Sequence, residues 1–165
     1  MRVMDQSQYG IIPAEEFRRR DGFSLLEAMR TGALPLAPIY ETLGMHMTRV
    51  ERGRVVVAAF PHRRFYSPVG SVHVGFSSGL LETALVSAVL SMLEPGEMCS
   101  PVEFKVNHVR PVLETTGTVE AIGTVLYRGR TVATADGKLV DGKGKLYAHA
   151  SATCTISAAG ESRKD

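Results

Sequence analysis

The chain has 165 residues, 44% hydrophobic and 22% charged, with a formal net charge of +2, which fits one globular domain with its own core. The small charge excludes a phosphate-tracking nucleic-acid surface, because Arg18, Arg19 and Arg20 are offset by Glu15, Glu16 and Asp21. Cys99 and Cys154 are the only cysteines and neither sits in a metal-ligand spacing, so free thiols in a reducing cytoplasm and no metal site are expected.

Residues 1–12 read as a loose arm, without the basic start and apolar core of a signal peptide. Pro13 suits the first helical position, and AEEFRRR after it sets acids before bases, as the helix dipole prefers. Asp21 and Gly22 interrupt that helix. Ser24 with Glu27 makes a capping box for a second helix, which Gly32 stops. Pro35 and Pro38 mark a turn, and IYETLG reads as one more helical turn ending at Gly44. With few apolar residues, residues 1–42 form a helical arm that must pack on the domain spanning 43–157. Residues 158–165 read as a polar tail.

From Met45 the period becomes two, and HMTRVERGRVVVAAF reads as two strands about Arg52 and Gly53. A loop leads into the stretch 67–93, where only His73 and Glu82 titrate. Residues 75–93 show no charged face at helical spacing, so a central helix buried on all sides is predicted. Glu82 and several polar residues interrupt it too often for a membrane span. At helical angle Glu82 falls among Val86, Val89 and Leu93. A carboxylate there is paired, protonated or functional.

The helix ends at the 94–97 turn, and three or more antiparallel strands follow. PVEFKVNHVRP alternates Val102, Phe104, Val106 and His108 against Glu103, Lys105 and Asn107. GTVEAIGTVLYRG, RTVATADGKLVD and KLYAHASATCTI come next, joined at Arg128 with Gly129 and at the DGKG turn. The order gives an α+β layout, a curved antiparallel sheet wrapped around one long central helix with an N-terminal helical arm. His46, His62, His108 and His149 have no partner spacing and read as satisfied or solvated residues.

Pro68, Gly70, Val72, His73 and Gly75, then Glu82 nine positions beyond the His, then EFKVNHVRPV and YRGRTVATADGKLVDGKGKLYAHASATCTI together resemble the hotdog-fold acyl-CoA thioesterases. The nearest branch is the PaaI-like one, of phenylacetic acid degradation. The resemblance covers about residues 43–156 and lies in combined order and spacing. It implies a hotdog domain that hydrolyses an acyl-CoA thioester to the acid and CoA, with no cofactor beyond the CoA of the substrate. It also implies a homodimer or a homotetramer of paired dimers, with no nucleic-acid or membrane partner.

Carried over by position, Glu82 matches the family's catalytic carboxylate, acting as nucleophile or as base on water. Val74, between His73 and Gly75, matches the residue whose backbone N–H polarises the carbonyl. Ser67 lies where the family has Asn or Gln. Arg128, Gly129 and Arg130 match a turn near the CoA phosphates, and Ser100 is one residue from a position that touches the carboxylate in relatives. Val74 replaces the usual Gly, and Ser67 is shorter than the usual amide.

The helix N-terminus at Val74 and Gly75 supplies unpaired donors and the positive dipole end. At about 1.5 Å per residue those donors lie roughly 11 Å from Glu82 along the axis, too far to act on one carbonyl. The clamp is therefore expected from a second, antiparallel subunit. A non-catalytic hotdog module that binds acyl-CoA is the alternative.

Overall fold

A computed structural model describes residues 8–159. Three short helices, α1 (Ala14–Arg19), α2 (Gly22–Thr31) and α3 (Pro38–Leu43), precede strands β1 (Met45–Glu51) and β2 (Arg54–Ala59). Helix α4 (Val74–Leu90) follows, then β3 (Glu97–His108), β4 (Val119–Arg128), β5 (Val132–Asp141) and β6 (Leu146–Ala158). The strands form one antiparallel sheet in the order β1-β2-β4-β5-β6-β3. Because β3 crosses the whole sheet to pair with β6, it becomes an edge, and α4 fills the concave face. This is the α+β layout that the element order implies.

The alternating strands turn small residues toward the helix. Ala121, Ala133, Ala135, Ala148 and Ala152 are all buried, which lets α4 approach closely. At Gly123 no side chain fits at all, since a Cβ there would lie 2.3 Å from the Ala84 carbonyl oxygen. The apolar helix residues Leu80, Leu81, Leu85 and Val89 complete the core.

The arm is stitched to the far end of α4. The Gly22 N–H donates to the Leu93 carbonyl at 2.9 Å, and the Gly96 N–H donates to that of Phe17 at 2.8 Å. Gly22 tolerates no side chain, because its Cβ would fall 1.6 Å from the Leu90 carbonyl oxygen. Leu25, Leu26 and Tyr40 are buried beneath the arm. Each fully buried Leu contributes roughly 1.5–3 kcal/mol relative to exposure.

Several local expectations are corrected. Residues 8–10 are not loose, for the Gly10 N–H donates to the Leu36 carbonyl and the Leu36 N–H to that of Gln8, both at 2.8 Å. Helix α2 starts two residues before Ser24, so Asp21 caps it by accepting the Ser24 N–H at 2.9 Å. The Ser24–Glu27 box is not formed, and Glu27 pairs with Arg30 at 2.8 Å. Gly32 and Gly44 do end their helices, in the left-handed conformation at φ 82 and 65°. Strand β6 runs on to Ala158, while residues 1–7 and the rest of the predicted tail, 160–165, lie outside the described residues.

Candidate active site

Helix α4 is not covered all round. Ser78, Glu82, Val86 and Leu90, four apart, are only half-buried, while Leu81, Leu85 and Val89 beside them are fully enclosed. Residues four apart form one ridge of a helix, so Glu82 lies on a half-buried ridge bordered by the buried Val89. The sheet covers the remaining faces, and the ridge lies where α3 and β3 flank the helix.

Those two elements flank the ridge. On one side a Cβ at Gly79 would lie 2.9 Å from Leu43 Cδ1, so the mid-helix glycine permits close contact with α3. On the other side Cys99 Sγ lies 3.9 Å from the Val86 carbonyl oxygen and His108 Nε2 lies 3.4 Å from Ser78 Oγ. Burial lowers the His108 pKa and favours its neutral form.

Glu82 sits midway along this ridge. Among the described residues no side chain or amide forms a hydrogen bond or ion pair with it, and burial pushes its pKa up. A half-buried carboxylate with no internal partner is stabilised only by solvent or by what docks on the ridge.

The helix start is a second centre. Leu43, Phe65, Tyr66, Ser67, His73 and Gly75 line a pocket of about 330 Å³. His73 is the N-cap of α4, with Nδ1 accepting the Gly75 N–H at 2.9 Å. That amide is already occupied, so the Val74 N–H is the donor left facing out, on a residue 51% exposed. The Ser67 hydroxyl donates to the Ser71 carbonyl at 3.1 Å, closing its own loop.

The other predicted residues lie at the opposite end. Ser100 is exposed on β3 and its carbonyl accepts from Thr155 Oγ1 at 3.4 Å. Arg128 is tied to the Glu97 carboxylate. The Gly129 N–H donates to the Val132 carbonyl at 2.8 Å, and Arg130 is exposed on the turn. Within one chain, then, Ser67, His73 and Gly75 come together, Glu82 lies two turns further along α4, and residues 128–130 lie beyond that helix's C-terminal end.

His108 is exposed and paired with Ser78, the satisfied and solvated state its sequence context implies. Its alternation with Phe104 and Val106 turns it toward the helix. Among the described residues no group of three His, Cys, Asp or Glu side chains is placed to hold a metal ion. Among the same residues no helix is long and apolar enough to cross a membrane.

A curved antiparallel sheet around one long helix is the hotdog architecture of thioester hydrolases. The family model of the Thioesterase superfamily matches residues 69–148, and the chain belongs to that superfamily. It is 31% identical over 94 residues to ComA2 of Bacillus subtilis, covering 56% of this chain and 73% of that protein. It is 28% identical over 118 residues to the 1,4-dihydroxy-2-naphthoyl-CoA hydrolase of Listeria monocytogenes, covering 72% of this chain and 93% of that one. Among solved structures, a phenylacetic acid degradation-related protein from Ralstonia eutropha superposes with a TM-score of 0.72 at 29% identity, over 79% of this chain and 98% of that one.

Proposed function

We propose that this protein hydrolyses a small, medium-chain or aromatic acyl-CoA to the free acid and CoA, with Glu82 as base or nucleophile. The observation that carries the reading is the half-buried, unpartnered Glu82 carboxylate on the α4 ridge. The CoA thioester named for the Listeria relative supports the substrate class.

As a base, Glu82 takes a proton from water while the oxygen attacks the thioester carbon. The tetrahedral oxyanion needs a donor, and the Val74 N–H at a helix N-terminus is suited to it. Eight residues at about 1.5 Å place that N–H about 12 Å from Glu82 on the same helix, so the donor comes from the antiparallel α4 of a second subunit. Collapse expels CoA thiolate, which takes the proton from Glu82. As a nucleophile, Glu82 would form an acyl anhydride and release CoA before water cleaves it.

The supporting roles follow from what each residue has free. Ser67 retains lone pairs that can accept a water proton. His73 sets the pitch of the helix start through its cap. With Arg128 committed to Glu97, Arg130 is the exposed cation of the turn for CoA phosphates, with Gly129 shaping the turn and Ser100 beside the channel. The working unit is a cytoplasmic homodimer, or a dimer of dimers, of a hotdog domain at 43–157 carrying the arm 1–42 and a short tail, with no cofactor of its own.

Release of free thiol from a panel of acyl-CoAs tests this. Turnover by the wild type and a loss of about 100-fold or more in Glu82→Gln, the usual scale for a positioned acid or base, is the expected result. Binding of CoA esters without turnover by either protein would replace the reading with a non-catalytic acyl-CoA-binding module.

A further inference from the structure

The half-buried ridge that holds Glu82 does not end at the carboxylate. Val86 and Leu90 continue the same ridge, and Leu90 is also part of the wall of a cavity of about 460 Å³ beneath the N-terminal arm. That volume lies within the range of about 300–1,000 Å³ typical of small-molecule sites. The arm contributes Ile12 and Phe17, helix α2 Met29, and the start of β3 Met98. Every residue lining the cavity is apolar or glycine, so it offers a ligand burial but no hydrogen bond.

We infer that this cavity receives the far end of a straight aliphatic acyl chain, so that the N-terminal arm sets a medium-chain substrate preference. The inference rests on the placement of the thioester at Glu82. From Glu82 to Leu90 is eight residues, about 12 Å along the helix. An extended chain advances about 1.2 Å per backbone atom. A chain of on the order of ten carbons therefore spans from the carboxylate to the cavity mouth. Shorter chains end over Val86 and bury nothing in the cavity, and each methylene that enters it contributes about 0.8 kcal/mol.

The polar end of the substrate has its own way out. In an antiparallel pair of helices the second subunit's 128–130 turn lies by this chain's helix start, so acyl chain and phosphates leave Glu82 in opposite directions. The arm lies outside the residues matched by the family model, 69–148, whereas Leu90 and Met98 of the cavity wall lie within them.

Ala14 lines the cavity and is exposed, so Ala14→Trp fills it from the surface. Met98→Ala enlarges it from the other side. The probe is S-decyl-CoA, a thioether that Glu82 cannot cleave, with free CoA as control. Binding of S-decyl-CoA is expected to weaken at least 10-fold in Ala14→Trp while free CoA binds unchanged. In Met98→Ala the preferred acyl chain in thiol release should lengthen by two or more carbons. If wild type and Ala14→Trp bind S-decyl-CoA alike, or if the thioether binds no better than CoA, the arm cavity is not the acyl site. Because binding is read without turnover, the result is separate from the Glu82→Gln assay. A normal Ala14→Trp effect with fully active Glu82→Gln overturns the carboxylate role and leaves the cavity standing.

Discussion

The Gly75 amide donates to Nδ1 of His73 across 2.9 Å, and this bond fixes both the helix start and the histidine. An accepting Nδ1 carries no proton, so the neutral ring has its hydrogen on Nε2. Capping by a side-chain acceptor is worth about 1 kcal/mol. His73→Ala should lower stability by that amount in urea unfolding, and His73→Asn, which can accept the same N–H, should recover most of it. Equal losses in the two variants would show that the cap contributes nothing and that the ring matters for its packing.

Glu82 carries a pH signature. Burial raises its pKa, so the folded chain holds the proton more tightly than the unfolded chain. Stability from this group is fully present below the unfolded value, about 4.3, and is lost as the pH rises through the higher folded one. Glu82→Gln cannot ionise and escapes that loss. Its melting temperature should exceed that of the wild type at pH 7, and the excess should shrink to nothing in acid. A difference that is constant with pH would mean that Glu82 titrates normally. Activity that needs the carboxylate should rise with pH through the same raised value.

Asp21 shows the opposite sign. The Ser24 amide lowers its pKa, aided by the Ser24 hydroxyl and by Arg52, whose guanidinium lies 3.4 Å from the carboxylate. Its contribution is present above the unfolded value, about 3.9, and is lost as the pH falls through the lower folded value. Asp21→Ala should lose about 1 kcal/mol at pH 7 in urea unfolding. Asp21→Asn keeps the cap and loses only the partly exposed ion pair, worth about 0–1 kcal/mol. A larger loss in the Asn variant than in the Ala variant would reverse the assignment.

Much of this fold is legible locally. Gly32, Gly44 and Gly53 punctuate the chain where their neighbours change period, and alternation survives in β1 and β6, while β2 is buried on both faces. What local pattern cannot give is the cover on each face of α4. A helix apolar on every side reads as enclosed, yet Ser78, Glu82, Val86 and Leu90 form a ridge whose exposure depends on how far α3 and β3 reach. Nor does local sequence show which groups are already engaged. The Gly75 amide looks free until His73 folds onto it, and Arg128 looks available until β3 brings Glu97 across the sheet. His108 needed the register of β3 to meet Ser78. The cavity under the arm joins residues from α1, α2, α4 and β3, which no spacing rule connects.

The pairing of Arg128 with Glu97 yields a test that separates structure from substrate binding. Their side chains are 26% and 28% exposed, and Arg128 Nε is buried with no partner of its own. The pair ties the β4–β5 turn to the start of β3. Hydrogen bonds to charged groups contribute about 1.5–3 kcal/mol, and partial exposure puts this one toward the lower end. Arg128→Met should lower stability by about 1–2 kcal/mol and leave the KM for acyl-CoA unchanged. Arg130→Met, on the exposed side of the same turn, should leave stability unchanged and raise KM several-fold, with that increase shrinking as salt screens the phosphates. If the two variants exchange these effects, Arg128 releases Glu97 to take the phosphate when CoA binds, and the ion pair is a resting state of the site.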